Sequence, residues 1–364
     1  MQIQRLDGSW LRNLQPFSLR PALLNLLVGE NGSGKSSSLE AIHLLATGRS
    51  FRGGRADGAI CHGQPALTLF LAGVESDGRE RRVGYRKPRS QDAEIRLDGE
   101  DASLGDIAAV LPVRFMGPGS EELLEGEPAQ RRAFLDWILF HVEHSYLDLW
   151  RRGNRALAQR NALLRARAAP ALLRPWTREL VEASTTIAAM RRQALVWLAG
   201  YLDPLLARFA FADSVTLAYH AAPLPETDAD WAELEARERD NGYSLFGFQR
   251  DDLRIRVADG MARDILSRGQ KKVLVYALQL AEAALVRAKT GKISVLLLDD
   301  LCSELDRNNA ALVLGLVVET GMQAFITALN KKELDGLLPP DCRMFHVEHG
   351  RIHTDPDGQA QGTG

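Results

Sequence analysis

Gly29-Glu30-Asn31-Gly32-Ser33-Gly34-Lys35-Ser36 is the stretch whose reading decides the fold. The pattern GxxxxGKS needs a strand that delivers the chain into the loop and a helix that takes it out. Both flanks are legible. The apolar run Leu23 to Val28 reads as a buried strand, with another expected around Ile3 to Leu6. Ser36 to Thr47 reads as a helix, with Leu39, Ile42 and His43 on one face and Gly48 as its stop. Gly29, Gly32 and Gly34 let backbone N–H groups turn inward around a phosphate with no Cβ in the way. Lys35 is then placed for the β- and γ-phosphates of ATP, and the Ser36 hydroxyl for Mg²⁺. Only eight lysines occur among 364 residues, so a lysine at this point is not a by-product of composition.

Further out, Val295-Leu296-Leu297-Leu298-Asp299-Asp300 reads as a central strand ending in two carboxylates. The carboxyl end of such a strand is where α/β sheets bind ligands. Asp299 is expected to hold Mg²⁺ through water, and Asp300 to polarise the attacking water or to cap the next turn. Between the two segments, Ser267-Arg268-Gly269-Gln270 precedes a helix expected from Lys271 to about Ala288. A helix N-terminus bearing a hydroxyl and glycine N–H groups is an anion site, although Ser267 also reads as an ordinary N-cap. The glycine loop already cradles the phosphates of its own subunit, so a second phosphate turn makes sense over the nucleotide of another copy. Lys35 and Asp299 stand 264 positions apart. That spacing points to an ATP-driven dimerising head rather than a compact kinase or GTPase.

The rest of the chain divides by texture. Short runs at Leu67 to Leu71, Arg82 to Arg86, Glu94 to Leu97 and Val113 to Met116 suggest an antiparallel sheet beside the glycine loop. After Gly117-Pro118-Gly119 the text turns helical, and Phe134, Ile138, Val142, Tyr146 and Leu149 are expected to form one face of a long helix. Helix continues to about Phe209 with interruptions at Pro170, Pro175 and Pro204; 223–231 reads as a loop. Strands are expected at Leu253 to Val257 and Ala324 to Ala328, and a hairpin around Gly350. The expected organisation is 1–116 and 290–354 as the two parts of one ATPase lobe, 117–289 as a mostly helical second lobe, and 355–364 as a flexible tail. His346, His349 and His353 have metal-like spacing, but His346 and His349 would face opposite ways on a strand, so a structural reading is favoured.

A net charge of −2 provides no global pull on nucleic acid, so any such contact must be local. One candidate stands out: 151–192 holds ten arginines against Glu179 and Glu182. Arg151, Arg152, Arg155 and Arg160 are the expected phosphate contacts, a solvated helix face being the other reading. Cys61, Cys302 and Cys342 are scattered, with no zinc spacing, and no apolar run approaches the roughly 20 residues of a membrane span. A cytoplasmic location without membrane contact is expected.

Taken together, Gly29 to Ser36, Gly48-Arg49-Ser50-Phe51-Arg52, Arg131 to Trp137, Gln159 to Leu164, Ser267 to Gln270 and Val295 to Asp306 resemble the ABC-type ATPase heads of the SMC family, in its RecF-like branch. The resemblance implies an α/β P-loop head with an antiparallel β subdomain and a mostly helical second lobe. It makes Ser267, Arg268, Gly269 and Gln270 a signature that contacts a partner's ATP, and Ser303-Glu304-Leu305-Asp306 a D-loop. It also implies a weak DNA-stimulated ATPase that dimerises at gapped DNA, helps to load recombinase, and has RecR and RecO as partners. The chain departs from the family at Gly247-Phe248-Gln249-Arg250, where Gly-Pro-His-Arg is usual. It carries Thr327 where transporter ATPases have a switch histidine, and no Q-loop glutamine is evident after Met116. A transporter ATPase subunit and a nucleotide-switched scaffold with incidental hydrolysis remain the alternatives.

Overall fold

A computed structural model describes residues 1–53, 56–209, 211 and 215–354. The expected tail, 355–364, lies outside them. The chain divides into two compact units: Met1–Ser120 with everything from Arg268 onward, and Glu121–Ser267. The return to the first unit therefore comes at Arg268 rather than near 290. The reason is the helix Arg268–Thr290, which ties itself to the central sheet of the first unit. Its Gln279 amide donates to Phe115 O at 3.1 Å, and its Glu282 pairs with Arg114 at 2.5 Å.

The central sheet of the first unit runs Arg351–Thr354, Arg343–Glu348, Leu24–Val28, Gln323–Ala328, Val295–Leu298, Val113–Met116 in space. Every pairing except the terminal hairpin is parallel. Sheets of this kind are covered on both faces, which is why Leu24–Val28, Val295–Leu298 and Gln323–Ala328 are buried at every position. Val113–Met116 belongs here, parallel to Val295–Leu298, and not to the antiparallel sheet expected from its alternation. That second sheet holds Phe17–Leu19, Gln2–Ser9, Ala66–Val74, Glu80–Pro88, Glu94–Leu97 and Glu100–Asp101. Leu39 and Leu45 of the helix Lys35–Thr47 share one core with Leu69 and Val83 of the second sheet and Leu27 and Phe325 of the first.

The second unit is mostly helical, with a three-stranded antiparallel sheet of Gly260–Met261, Asp252–Val257 and Val215–His220. The long helix expected across Phe134 to Leu149 is two helices, Pro128–Val142 and Tyr146–Arg165. The chain turns extended at Glu143, and Tyr146 is buried by bonding Asp136 at 2.5 Å. By contrast, Pro170–Leu206 runs unbroken through Pro175 and Pro204. Leu173, Leu180, Ile187, Arg191, Leu198 and Leu202 keep one face buried along its length, which offsets the roughly 3 kcal/mol that an interior proline costs. Only the first part of 223–231 is a loop, because Thr227 and Asp230 form a capping box that starts the helix Asp228–Asn241.

Candidate nucleotide site

Close backbone approaches hold the glycine loop in place. A Cβ on Gly29 would stand 2.1 Å from Val347 O, so only glycine lets the loop pass the last strands of the sheet. Gly34 adopts φ 121, in the region that favours glycine. The turn of the terminal hairpin closes from the other side: Gly350 N–H donates to Ser33 O at 2.9 Å. Asn13 Nδ2 donates to Gly32 O at 2.8 Å. The sequence announces the loop but not these supports, whose partners lie far away along the chain. Lys35 sits at the loop's end with its Nζ donating to Gly29 O at 2.5 Å and Glu30 O at 3.0 Å. Burial pushes its ammonium below the usual lysine range, while Asp300, Asp299 and Glu333 pull it back up.

Asp299 leaves the end of Val295–Leu298 with only 6% exposure. Ser36 hydrogen-bonds its carboxylate, and Thr327 Oγ1 donates to Asp299 Oδ1 at 2.8 Å. The same Thr327 oxygen accepts from Asp300 N–H at 2.8 Å, so one hydroxyl sets both acids. Asp300 itself is in the left-handed region (φ 55), and its side chain caps nothing, which removes the capping alternative. Burial raises the Asp299 carboxyl above its ordinary value, opposed by Thr327, Ser36 and Arg52. Gly117 is needed here, since a Cβ would stand 2.9 Å from Asp299 Cβ. One carboxylate beside one hydroxyl suits Mg²⁺, which takes one or two protein oxygens and completes its shell with phosphates and water. Among the described residues no group of three His, Cys, Asp or Glu side chains is placed to hold a metal ion without such help.

Arg52 is a cation at this site that residue-by-residue reading missed. Its guanidinium lies 3.9 Å from Glu40, which is fully buried on the loop's own helix. Arg12 and Ser50 hold that carboxylate at 2.7 Å and 2.5 Å. The Gly48 to Arg52 stretch flagged the position but not its neighbours.

The remaining segments are built as follows. Ser267 is the last residue of the second unit, and Arg268 opens the helix Arg268–Thr290, in which a Cβ on Gly269 would meet open space. Lys272 and Tyr276, one turn apart on that helix, reach Glu304 at 2.6 Å and 3.2 Å. Ser303 Oγ donates to Asp300 O at 2.9 Å, and Leu305 is buried. Asp306 caps the helix Arg307–Thr320, and the N–H groups of Asn309 and Asn308 hold its carboxyl below the ordinary range. His346 lies opposite His353 across the hairpin, whereas His349 sits in its turn at φ 46 rather than on a strand. His346 and His349 both line a cavity of about 770 Å³ with Glu30, Asn31 and Lys331.

The arginine-rich segment is not uniformly available. Arg160, expected to touch DNA, is 2% exposed and donates to Glu238, Thr177 and Ser244. A guanidinium committed to a buried acid cannot reach a phosphate, so Arg160 is withdrawn as a contact. Arg152 pairs with Glu179 at 2.8 Å and Arg151 with Asp148 at 3.7 Å, both at the surface.

A glycine loop between a buried strand and a helix, an acid pair at the end of the next strand but one in the same sheet, and a helical unit inserted between them in sequence define an ATPase head of the SMC type. The family model for the RecF/RecN/SMC N-terminal domain matches residues 5–352. The DNA replication and repair protein RecF of Pseudomonas aeruginosa is 41% identical over 362 residues, covering 97% of each chain. That of Azotobacter vinelandii is 40% identical, covering 97% of this chain and 98% of its own. A solved structure of the recombination mediator RecF with ATP superposes with TM-score 0.82 at 24% identity over 97% of each chain. An Smc head bound to the C-terminal winged-helix domain of ScpA gives 0.59 at 15% over 98% of this chain and 97% of its own. The chain belongs to the RecF family. No helix among the described residues is long and apolar enough to cross a membrane.

Proposed function

We propose that this chain is an ATP-driven DNA-binding switch of recombinational repair and replication-fork maintenance. ATP binding closes two copies on gapped DNA, hydrolysis releases them, and the closed dimer helps to load recombinase. The observation that carries the reading is the joint placement of Ser36, at the start of the loop's helix, with Thr327 and Asp299 at the strand ends and Lys35 beside them. In it, Gly29 to Ser36 bind ATP, Ser36 and Asp299 hold Mg²⁺, and Lys35 neutralises the transferred phosphoryl group. Asp300 positions the water. Ser267 to Gln270, with the D-loop Ser303 to Asp306, meet the nucleotide of the other copy. The family name of the relatives supports the repair role, and RecR, RecO and single-strand–double-strand junctions are the proposed partners. A weak, DNA-stimulated turnover in the cytoplasm completes the proposal.

Sedimentation with and without ATP tests it. Ser267→Arg should bind ATP as a monomer but lose ATP-dependent dimerisation and hydrolysis, because the new cation blocks the facing nucleotide. Asp300→Asn should accumulate ATP-bound dimers, since it keeps the shape of the site and loses the carboxylate. Normal dimerisation of Ser267→Arg would leave that turn as a helix cap and end the two-headed mechanism.

A further inference from the structure

Nine of the ten arginines in 151–192 fall into two groups, and the tenth, Arg192, lies over the Tyr219 ring. Arg151, Arg152, Arg160, Arg178 and Arg191 each face an acid. Arg155, Arg165, Arg167 and Arg174 are exposed and form no ion pair among the described residues. Three of these four lie at or next to the turn joining Tyr146–Arg165 to Pro170–Leu206: Arg165 ends the first helix, Arg167 is in the turn, and Arg174 is the fifth residue of the second helix. From Arg165 to Arg178 the chain contains no acid, and small residues (Ala166, Ala168, Ala169, Ala171) separate the cations. The first turn of the 37-residue helix also lacks an acid, so its N–H groups add to the positive field.

The backbone of this turn carries a second signal. Arg167 N–H donates to Leu164 O and Ala168 N–H to Leu163 O, the paired bonds of a Schellman ending. Arg167 therefore occupies the left-handed position, with φ 50, where helices usually place glycine. A side chain there costs about 1 kcal/mol. An exposed arginine at a position where glycine would be more comfortable, with no ion pair among the described residues, is a strained residue that calls for a function.

We infer that this turn is a docking point for the phosphate backbone of nucleic acid, contacted by Arg165, Arg167 and Arg174. Arg155, about 15 Å back along its helix, supplies a fourth contact. Planar guanidinium forks suit phosphate oxygens, and no carboxylate in the stretch competes for them. The inference rests on the DNA-binding reading above, keeps Arg155, and moves the other contacts from Arg151, Arg152 and Arg160 to the hairpin tip.

The test is equilibrium binding of the full chain, with ATP, to a gapped duplex across a salt series. Arg165→Ala/Arg167→Gly/Arg174→Ala should flatten the slope of log K against log salt by two to three, roughly 0.9 per lost contact. Arg151→Ala/Arg152→Ala should leave it near wild type. Arg167→Gly alone should flatten it by about one without lowering the thermal midpoint, because glycine relieves the backbone. A triple variant with the wild-type slope overturns the inference, and loss of binding to poly-glutamate in that variant would assign the turn to an acidic protein surface. A wild-type chain with no salt-dependent DNA binding would sink the functional reading itself.

Discussion

Two groups of acids in this chain are built on opposite rules. In the second unit, Asp136 and Asp251 close around Arg191, which is 1% exposed, at 2.8 Å and 3.0 Å. Tyr146 donates to Asp136, Tyr219 donates to Asp251, and Ala222 N–H donates to Asp251 at 2.8 Å. Burial opposes the charge on Arg191, but Asp136 outweighs it and holds the guanidinium above its ordinary range. In the first unit, Asp299 is met by the hydroxyls of Ser36 and Thr327. Hydroxyls orient a carboxylate without cancelling its charge. The first arrangement is complete in itself and ties together three helices, the strand Val215–His220 and the segment at Asp251. The second keeps negative charge in a buried place, which is useful only where a cation and phosphates are to arrive.

The largest effect should come from opening the closed group. Arg191→Met leaves the buried Asp251 and the half-buried Asp136 without their cation, at an expected cost of about 3–5 kcal/mol in urea unfolding of the second unit. A loss under about 1 kcal/mol would mean that this knot is no more structural than a surface pair. The next effect belongs to the other site. Lys35→Met removes a cation worth about 1.5–3 kcal/mol to a phosphate, so affinity for a fluorescent ATP analogue should drop at least tenfold. The thermal midpoint should hold, because the variant also removes a partly desolvated ammonium. Wild-type affinity in a well-folded Lys35→Met would remove the basis of the nucleotide reading.

What could be read from the chain in advance follows the same division. The glycine loop, the strand ending in Asp299 and the helix after Ser267 are local patterns, and each is found where the pattern places it. Val113–Met116 was misassigned because Arg114 breaks its apolar run; the charge is matched by Glu282, which lies 168 residues away. Arg160 reads as a surface cation until Glu238 appears beside it from another helix. The break at Glu143 is equally silent, since Tyr146 stays in register with the apolar face and its hydroxyl alone reveals the turn. Periodicity reports which side of an element is apolar. It does not report which distant residue a charge or a loop will meet, and both the Arg191 knot and the support of the glycine loop are made of such meetings.

The smallest expected effect is also the most direct contrast, because one substitution is made in both groups. Asp251→Asn should destabilise by about 2 kcal/mol, since Arg191 and Tyr219 keep their donors but lose the charged acceptor. Asp299→Asn should act the other way. Burial raises the Asp299 carboxyl in the folded chain above its unfolded value, so the native state binds the proton more tightly. The stability from that proton is present at acid pH and lost as pH rises through the raised value. At neutral pH the folded chain therefore carries an unfavourable charge that asparagine would remove. Asp299→Asn should gain about 1 kcal/mol at neutral pH and less as pH falls through the raised value, while losing the Mg²⁺ dependence of nucleotide binding. Urea midpoints of both variants across a series from acid to neutral pH decide the matter. If both substitutions destabilise, Asp299 is a closed structural acid like Asp251, and Mg²⁺ must be sought elsewhere.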